Sequence, residues 1–326
     1  MIEVDASALT CRICSEPGPH ARIAVREMMF GSRETFGYFQ CRHCGCLQIE
    51  TAPTDMGPYY PPHYFSLRKQ SRPIGAVRAY LDRRRVRHAL GRRSLQGALA
   101  GRVAKPLDYL DWVVAAGADQ ESPILDVGCG TGRLLRRMHA GGFKDCTGIE
   151  PHIQRDLIEP GGIRIHKQEL VEFARATSKR YRLIMFHHSF EHLYYPGDVL
   201  SASVRLLSPA GLLLIRVPLV DSEAWERYRE NWFQIDAPRH FYLHSQMSMR
   251  LLAQGVGLQL EKIVFDSTPS QFMLSELFRR DVAMNEMRKV REVFSPQELD
   301  AFRRSAERAN REGRGDMAAF YFRKSG

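Results

Sequence analysis

The sequence predicts an α/β protein with a small cysteine-built module in front of it. Three observations carry this. From residue 122 onward, apolar strand-like runs alternate with helical stretches, the pattern of a parallel sheet flanked by helices. The first of these strands, Ile124-Leu125-Asp126-Val127, runs into Gly128-Cys129-Gly130-Thr131-Gly132, a turn with glycine at every other position. Near the N-terminus, Cys11 and Cys14 form one C-x2-C pair, and Cys41 and Cys44 form another.

Composition sets the outer bounds. At 326 residues the chain has room for one large domain and a small one. A hydrophobic content of 44% with 26% charged residues is that of an ordinary globular protein. Met1 to Thr10 has neither a basic n-region nor an apolar h-region, so no secretory signal is expected. The longest apolar stretch, Leu212 to Val220, is interrupted by Arg216 and Pro218 and is too short to span a bilayer. The expected location is cytoplasmic.

In a reducing compartment two C-x2-C knuckles read as a tetrahedral thiolate site for structural zinc, with Cys11, Cys14, Cys41 and Cys44 as ligands. Thiolates are soft, anionic donors that suit this ion, and four protein ligands leave no open position, so the role is to fold the module. Cys46 is an alternative ligand to Cys44, and His43, crowded between cysteines, is a weaker one. The 26 intervening residues hold strand-like pieces, Arg22 to Val25 and Phe36 to Gln40, so residues 1–57 read as a zinc-ribbon-like module.

Residues 58–105 read as a connector. Tyr59-Tyr60-Pro61-Pro62-His63-Tyr64-Phe65 is aromatic and proline-stiffened. Between Ser66 and Lys105 there are twelve Lys and Arg against one acid, Asp82, so this stretch carries +11 of a net +10 and the remainder about −1. Three readings stay open for it: a solvated helical face, a dock for an anionic substrate, or contact with an anionic membrane surface. Nucleic acid is a less favoured partner for the same charge. The large domain then covers 106–326, opening on a helix over 106–117. Its strands are expected at 122–127, 145–149, 162–166, 181–187, 210–217, 258–266 and 316–323, with a helical insertion at about 270–312.

The glycine turn says which ligand the domain holds. Glycine permits the positive φ of a tight strand-to-helix turn and removes the Cβ where backbone meets a cofactor. A dinucleotide fingerprint would need a third glycine at position 133, which is Arg133. Cys146-Thr147-Gly148-Ile149-Glu150 is a second strand that ends in an acid 18 positions beyond Gly132, where a carboxylate can hold both ribose hydroxyls. These residues resemble the class I S-adenosylmethionine-dependent methyltransferases, whose cofactor has a ribose and no pyrophosphate. The resemblance implies a seven-stranded, mostly parallel, Rossmann-like sheet whose last strand runs antiparallel between the fifth and sixth. It also implies cofactor contacts from Asp126, Gly128, Cys129, Gly130, Gly132, Glu150 and His187.

The fourth strand leads into His187-His188-Ser189-Phe190-Glu191-His192, a polar cluster at the carboxyl end of a strand, where ligands sit in such sheets. The family opens this strand with an aspartate and follows it with a Glu-His pair; the chain has Arg182 and keeps Glu191 and His192. The Asn/Asp-Pro-Pro-aromatic motif of base-amine methylation is missing. Further on, Asp236-Ala237-Pro238-Arg239-His240-Phe241-Tyr242 is similar to methyltransferases of bacterial surface-polysaccharide and nucleotide-sugar pathways. Those proteins often carry a four-cysteine zinc module and a Tyr-Tyr-Pro-x-x-Tyr connector. A subset of nucleotide-sugar C-methyltransferases has a Glu-His pair where this chain reads Arg239-His240, so only the histidine carries over.

Methyl transfer to a hydroxyl needs alignment and removal of a proton, a task for a neutral imidazole. His240, His188 and His192 are the candidates, in that order, with Tyr242 and Trp232 as substrate walls and Glu191 facing the acceptor. The expected reaction is methylation, oxygen before carbon or nitrogen, of a sugar or related small metabolite, nucleotide- or lipid-linked. Two rival readings remain: an RNA methyltransferase with a zinc ribbon, which the basic tract favours, and a non-catalytic scaffold of the same fold.

Overall fold

Strand β4 (Ile124–Val127) lies at the middle of the molecule, and its four residues are all buried. A strand covered on both faces reads as an unbroken apolar run, which is how Ile-Leu-Asp-Val reads apart from its acid. The structure, a computed structural model, describes residues 9–60, 74–91, 107–159, 161–287 and 290–325. Around β4 stands an eight-stranded sheet in the order β11-β12-β9-β8-β4-β5-β7-β6. Its remaining strands are β5 (Cys146–Ile149), β6 (Leu157–Glu159), β7 (Ile163–His166), β8 (Tyr181–His187), β9 (Leu207–Pro218), β11 (Leu258–Phe265) and β12 (Met317–Lys324). Strands β9, β8, β4, β5 and β7 pair in parallel, whereas β12 runs antiparallel to both β9 and β11. The expected antiparallel insertion of the last strand is therefore present.

Two apolar layers cover the sheet. One packs around Leu125, Ile184, Phe186 and Phe320, the other around Trp112, Ile124, Met138 and Leu214. The count of seven strands is corrected to eight. Strand β6 has three residues and an outward Ile158, and pairs only with β7 at the sheet's edge. So short a segment gives no periodic signal. Strand β9 begins at Leu207 rather than 210, because the chain passes from helix Pro196–Leu206 straight into the sheet and Ser-Pro-Ala-Gly lies within the strand. The opening helix is shorter than expected, Leu110–Ala115, and Pro106 lies outside the described residues.

A second sheet is antiparallel, in the order β1-β2-β3-β10. It is made of β1 (Ala21–Arg26), β2 (Thr35–Gln40), β3 (Leu47–Ile49) and β10 (Tyr242–Leu243). Its last strand comes from the far side of the sequence: Tyr242 opposes Gln48 and Leu243 opposes Leu47. A module of residues 1–57 alone lacks that strand. Of the basic tract, helix Ala76–Ala89 is described; it seats Val86 in the apolar layer, and Arg83 Nε donates to Ala140 O at 3.3 Å. The stretches 66–73 and 92–105 of that tract, and Pro61 to Phe65 of the connector, lie outside the described residues. Helices Ser270–Arg279, Val290–Val293 and Pro296–Arg311 form the insertion. Among the described residues, no helix is long and apolar enough to cross a membrane.

Candidate active site

A cavity of about 1990 Å³ opens at the carboxyl ends of β4, β5 and β8. Drug-sized sites typically span about 300–1,000 Å³, so this one has room for two ligands side by side. Its walls are the glycine turn, the polar segment after β8 and the loop 233–241.

At the first end, Gly128, Gly130 and Gly132 have φ of +73°, +54° and +84°, a region other residues enter only with strain. The neighbours of two of them are protein atoms. A Cβ on Gly128 would lie 2.3 Å from Ser189 Cβ, and one on Gly132 would lie 2.5 Å from Ile165 Cδ1. These glycines are needed for packing the turn as well as for leaving a ligand room. Glu150 is buried and faces the turn: its Oε2 accepts from Gly130 N at 2.9 Å and its Oε1 from His152 N at 3.1 Å. Asp126 lines the cavity beside it, and burial, reinforced by the charge on Glu150, pushes its carboxyl up to about 7. Cys129 also lines the cavity; burial pushes its thiol well up, so it stays protonated. His187 lines this end with its ring centre 5.3 Å from that of Trp112. Burial, with His188 and Arg216 nearby, takes the His187 imidazole down to about 3, so it is neutral at pH 7.

At the other end, a turn anchors the polar segment. Ser189 Oγ donates to Val127 O at 2.6 Å, His188 has φ +55°, and Phe190–His192 forms one 3-10 turn. Glu191 is fully buried. Burial pushes its carboxyl up, but His188, His240 and His192 together outweigh that and hold it at about 2. The His192 imidazole is taken down to about 4 by burial, with His240 adding to the effect. His192 and His240 meet edge to face with ring centres 4.6 Å apart. His188 turns its Nε2 to the Arg216 guanidinium, which pairs with Asp266 at 2.6 Å. All three histidines proposed from the sequence thus stand together around Glu191.

The loop that carries His240 is held by the N-terminal sheet. Tyr38 Oη donates to His240 O at 2.9 Å, and Arg12 Nε donates to Tyr242 Oη at 3.0 Å. Buried Arg239 donates to Glu27 at 2.9 Å and to Asp236, and Glu27 also accepts from the amides of Met29, Phe30 and Ser32. Tyr60, from the connector, places its hydroxyl 3.1 Å from His192 Nδ1 and stacks on His152 at 5.6 Å. Tyr60 and Glu27 were not singled out from the sequence, and Asp236 entered only as the first residue of the motif that contains His240. The aromatic connector marked Tyr60's neighbourhood, whereas nothing local marks Glu27.

The two substrate walls are corrected. Trp232 is buried in a separate core, packs at a tilt against Trp225 and donates Nε1–H to Asp316 at 3.1 Å. Tyr242 is buried beside the cysteines and donates its hydroxyl to Tyr194 O at 2.9 Å. Their chain neighbours Phe233 and Phe241 line the cavity instead. Tyr242 lies on a strand, where a shift of one residue reverses the face a side chain takes, and Trp232 sits between two 3-10 turns, where tertiary packing sets its direction.

The four cysteines of the N-terminal module converge. Their sulfurs lie within 4.8 Å of one another, with Cys11 and Cys44 at 3.6 Å and Cys14 and Cys41 at 3.6 Å. Metal–sulfur bonds of about 2.3 Å in a tetrahedron require sulfurs about 3.8 Å apart, so the donor set is compatible with zinc. The knuckles are alike: Ser15 N donates to Cys11 O and Gly45 N to Cys41 O, both at 2.9 Å. Cys46 stands apart from the cluster, its sulfur 4.0 Å from His244 Nδ1. His43 is exposed and outside the cluster.

A family model described as a methyltransferase domain matches residues 97–263, the span that contains the glycine turn, Glu150 and the cluster around Glu191. The chain belongs to this methyltransferase family. Its large sheet is an S-adenosylmethionine-dependent methyltransferase domain. A ubiquinone biosynthesis O-methyltransferase of Serratia proteamaculans (strain 568) is 30% identical over 116 residues, 34% of this chain and 48% of that protein. The chain thus spans about half the length of the curated relative it matches. Among solved structures, the cyclopropane synthase MmaA2 from Mycobacterium tuberculosis aligns with a TM-score of 0.42 at 17% identity, covering 66% of this chain and 83% of that one. A SAM dependent methyltransferase from Archaeoglobus fulgidus aligns with a TM-score of 0.41 at 15% identity, covering 67% of this chain and all (100%) of that one. In the methyltransferase domain, the glycine turn lies beside two buried acids, Asp126 and Glu150. The polar cluster faces them across the same cavity.

Proposed function

We propose that the protein transfers a methyl group from S-adenosylmethionine to a hydroxyl of a sugar or related small metabolite carried on a phosphate-bearing group. The observation that supports this most is the cluster of His188, Glu191, His192 and His240 in one cavity with the glycine turn. A hydroxyl is a poor nucleophile until its proton is removed, and this cluster is the cavity's means of doing so. The O-methyltransferase relative supports oxygen as the acceptor atom. Tyr194 and Tyr195 on the rim suit the apolar face of a sugar ring, and Arg133 and Arg175 on the lining suit a phosphate. The basic 66–105 segment supports the same anionic carrier.

In this reading Asp126, Gly128, Cys129, Gly130, Gly132, Glu150 and His187 form the donor pocket. Cys11, Cys14, Cys41 and Cys44 hold a structural zinc ion that keeps the N-terminal sheet, and through it the His240 loop, in place. The protein acts in the cytoplasm. The test is S-adenosylhomocysteine release with a panel of nucleotide sugars, and with structured RNA as the rival acceptor. Release with a nucleotide sugar, and a methyl ether in the product by mass spectrometry, is the expected result. Release with RNA alone contradicts the reading.

A further inference from the structure

The acceptor end of the cavity is short of hydrogen-bond donors and of positive charge. Glu191 is fully buried, and neither of its carboxylate oxygens has a hydrogen-bond partner among the described residues. The nearest ring nitrogens stand at 3.6 Å (His188 Nδ1) and 4.0 Å (His240 Nε2), beyond hydrogen-bond length. A buried carboxylate left this way is unfavourable unless something else meets it.

Two of the histidines beside it have Nδ1 tied to the backbone. His240 Nδ1 lies 2.7 Å from Gln234 O, and His192 Nδ1 lies 2.9 Å from Arg239 O. A carbonyl oxygen only accepts, so each Nδ1 carries a hydrogen, which leaves Nε2 as the nitrogen that can bind a ligand. An imidazole fixed by an Nδ1–H bond to a carbonyl is the arrangement that metal-binding histidines use. Glu191, His192 and His240 each place a ligand atom within 4.8 Å of the other two.

Charge points the same way. Glu27, Asp236 and Glu191 bring three carboxylates to this region, with side chains 1%, 7% and 0% exposed. Arg239 is the guanidinium that meets the first two, so three carboxylates stand against one permanent cation, and His240 Nε2 lies 3.8 Å from Asp236 and 4.0 Å from Glu191. Arg216, beyond His188, is already paired with Asp266. Low-dielectric surroundings do not hold such an excess without a counter-charge.

The geometry points to a divalent-cation site formed by Glu191, His192 and His240, with positions open to the cavity for an acceptor oxygen. His240 Nε2 and Glu191 Oε1 are 4.0 Å apart, so an ion between them reaches both at about 2.0–2.1 Å. Two imidazoles and one carboxylate suit a first-row divalent ion such as Mn²⁺ or Zn²⁺. The role of the ion rests on the acceptor reading given above. An acceptor hydroxyl bound to the ion is acidified and releases its proton to water. Its oxygen then bonds to the methyl carbon, the carbon–sulfur bond breaks, and that electron pair goes to sulfur, leaving neutral S-adenosylhomocysteine. His240 and His192 then serve as ligands that orient the acceptor.

Mn²⁺ is the probe, because a four-thiolate site discriminates against so hard an ion. Full-length protein, purified with zinc and saturated with S-adenosylhomocysteine, is titrated with Mn²⁺ while electron paramagnetic resonance reads the free ion. One bound Mn²⁺ per chain is expected, with affinity falling at least about 100-fold in Glu191→Gln and in His192→Ala, beyond the 10–100-fold of outer partners. Thermal melting and S-adenosylhomocysteine calorimetry on the same samples show that each variant is folded, and the second variant covers misfolding of the first. Absence of saturable Mn²⁺ binding to the wild type at millimolar ion, with S-adenosylhomocysteine bound, overturns the site and leaves a histidine cation as the counter-charge. Equal Mn²⁺ affinity in wild type and both folded variants overturns it as well. Mn²⁺ binding as expected, without turnover of any hydroxyl acceptor, upholds the ion site and overturns the acceptor reading alone.

Discussion

The two ends of the cavity are built from very different distances along the chain. The donor end is built chiefly from Asp126 to His152, a strand, a turn, a helix and the next strand, with Glu150 closing on Gly130 and His152, and with His187 and Ser189 joining it from the end of β8. The acceptor end brings His188 to His192 against a loop at 236–242, and that loop is fixed by Arg12, Glu27 and Tyr38, which lie in the N-terminal sheet or beside it. One end is a local structure and the other a tertiary one. The two should therefore fail separately.

The largest separation is expected from His240→Ala. Its loss should lower acceptor-dependent turnover by about 10²–10⁴-fold, with S-adenosylhomocysteine affinity unchanged within about threefold. Steady-state rates and calorimetry check both halves. Gly128→Ala attacks the donor end. Its φ of +73° and the 2.3 Å approach to Ser189 Cβ should destabilise the fold by at least about 1–3 kcal/mol, read by denaturant melting, and weaken donor binding with it.

Trp232→Phe sharpens the comparison from outside the cavity. It removes the Nε1–H donated to buried Asp316, a loss of about 1–2 kcal/mol in stability, with the acceptor KM unchanged within about twofold. A raised KM would return Trp232 to the substrate wall. The smallest effect is in pH. Asp126 is raised to about 7, so the folded, ligand-free protein holds a proton that the unfolded chain does not. Its contribution to stability is full below about pH 4 and is lost as the pH rises toward about 7. A cationic donor favours the ionised form, so S-adenosylmethionine affinity should rise between pH 6 and 8, by up to about tenfold. In Asp126→Asn that dependence should flatten.

The same contrast decides what the sequence reveals. The donor end is legible because its signals are adjacent: a buried strand, alternating glycines, and an acid at the end of the next strand. The cysteine pairs are legible for the same reason, as ligand spacing is a local property. Strand β6 is not, being an edge segment of three residues. The acceptor end is legible as residue types, since His188, Glu191, His192 and His240 were all singled out, but not as an arrangement. Trp232 and Tyr242 show why, because whether an aromatic faces a cavity or a core is set by tertiary packing that no local pattern encodes. The partnership of Glu27 with Arg239 spans 212 positions, and no local pattern encodes it.

The most direct test removes one sulfur of the four-cysteine cluster, which packs on Tyr242, two residues on from His240. In full-length Cys41→Ser, S-adenosylhomocysteine binding by calorimetry and acceptor-dependent turnover are measured on one preparation. Donor affinity within about threefold of wild type, with turnover reduced at least about 10²-fold by the displaced loop, is the expected result. Affinity and turnover falling together, or neither changing, contradicts a local donor end and an acceptor end held by the N-terminal sheet.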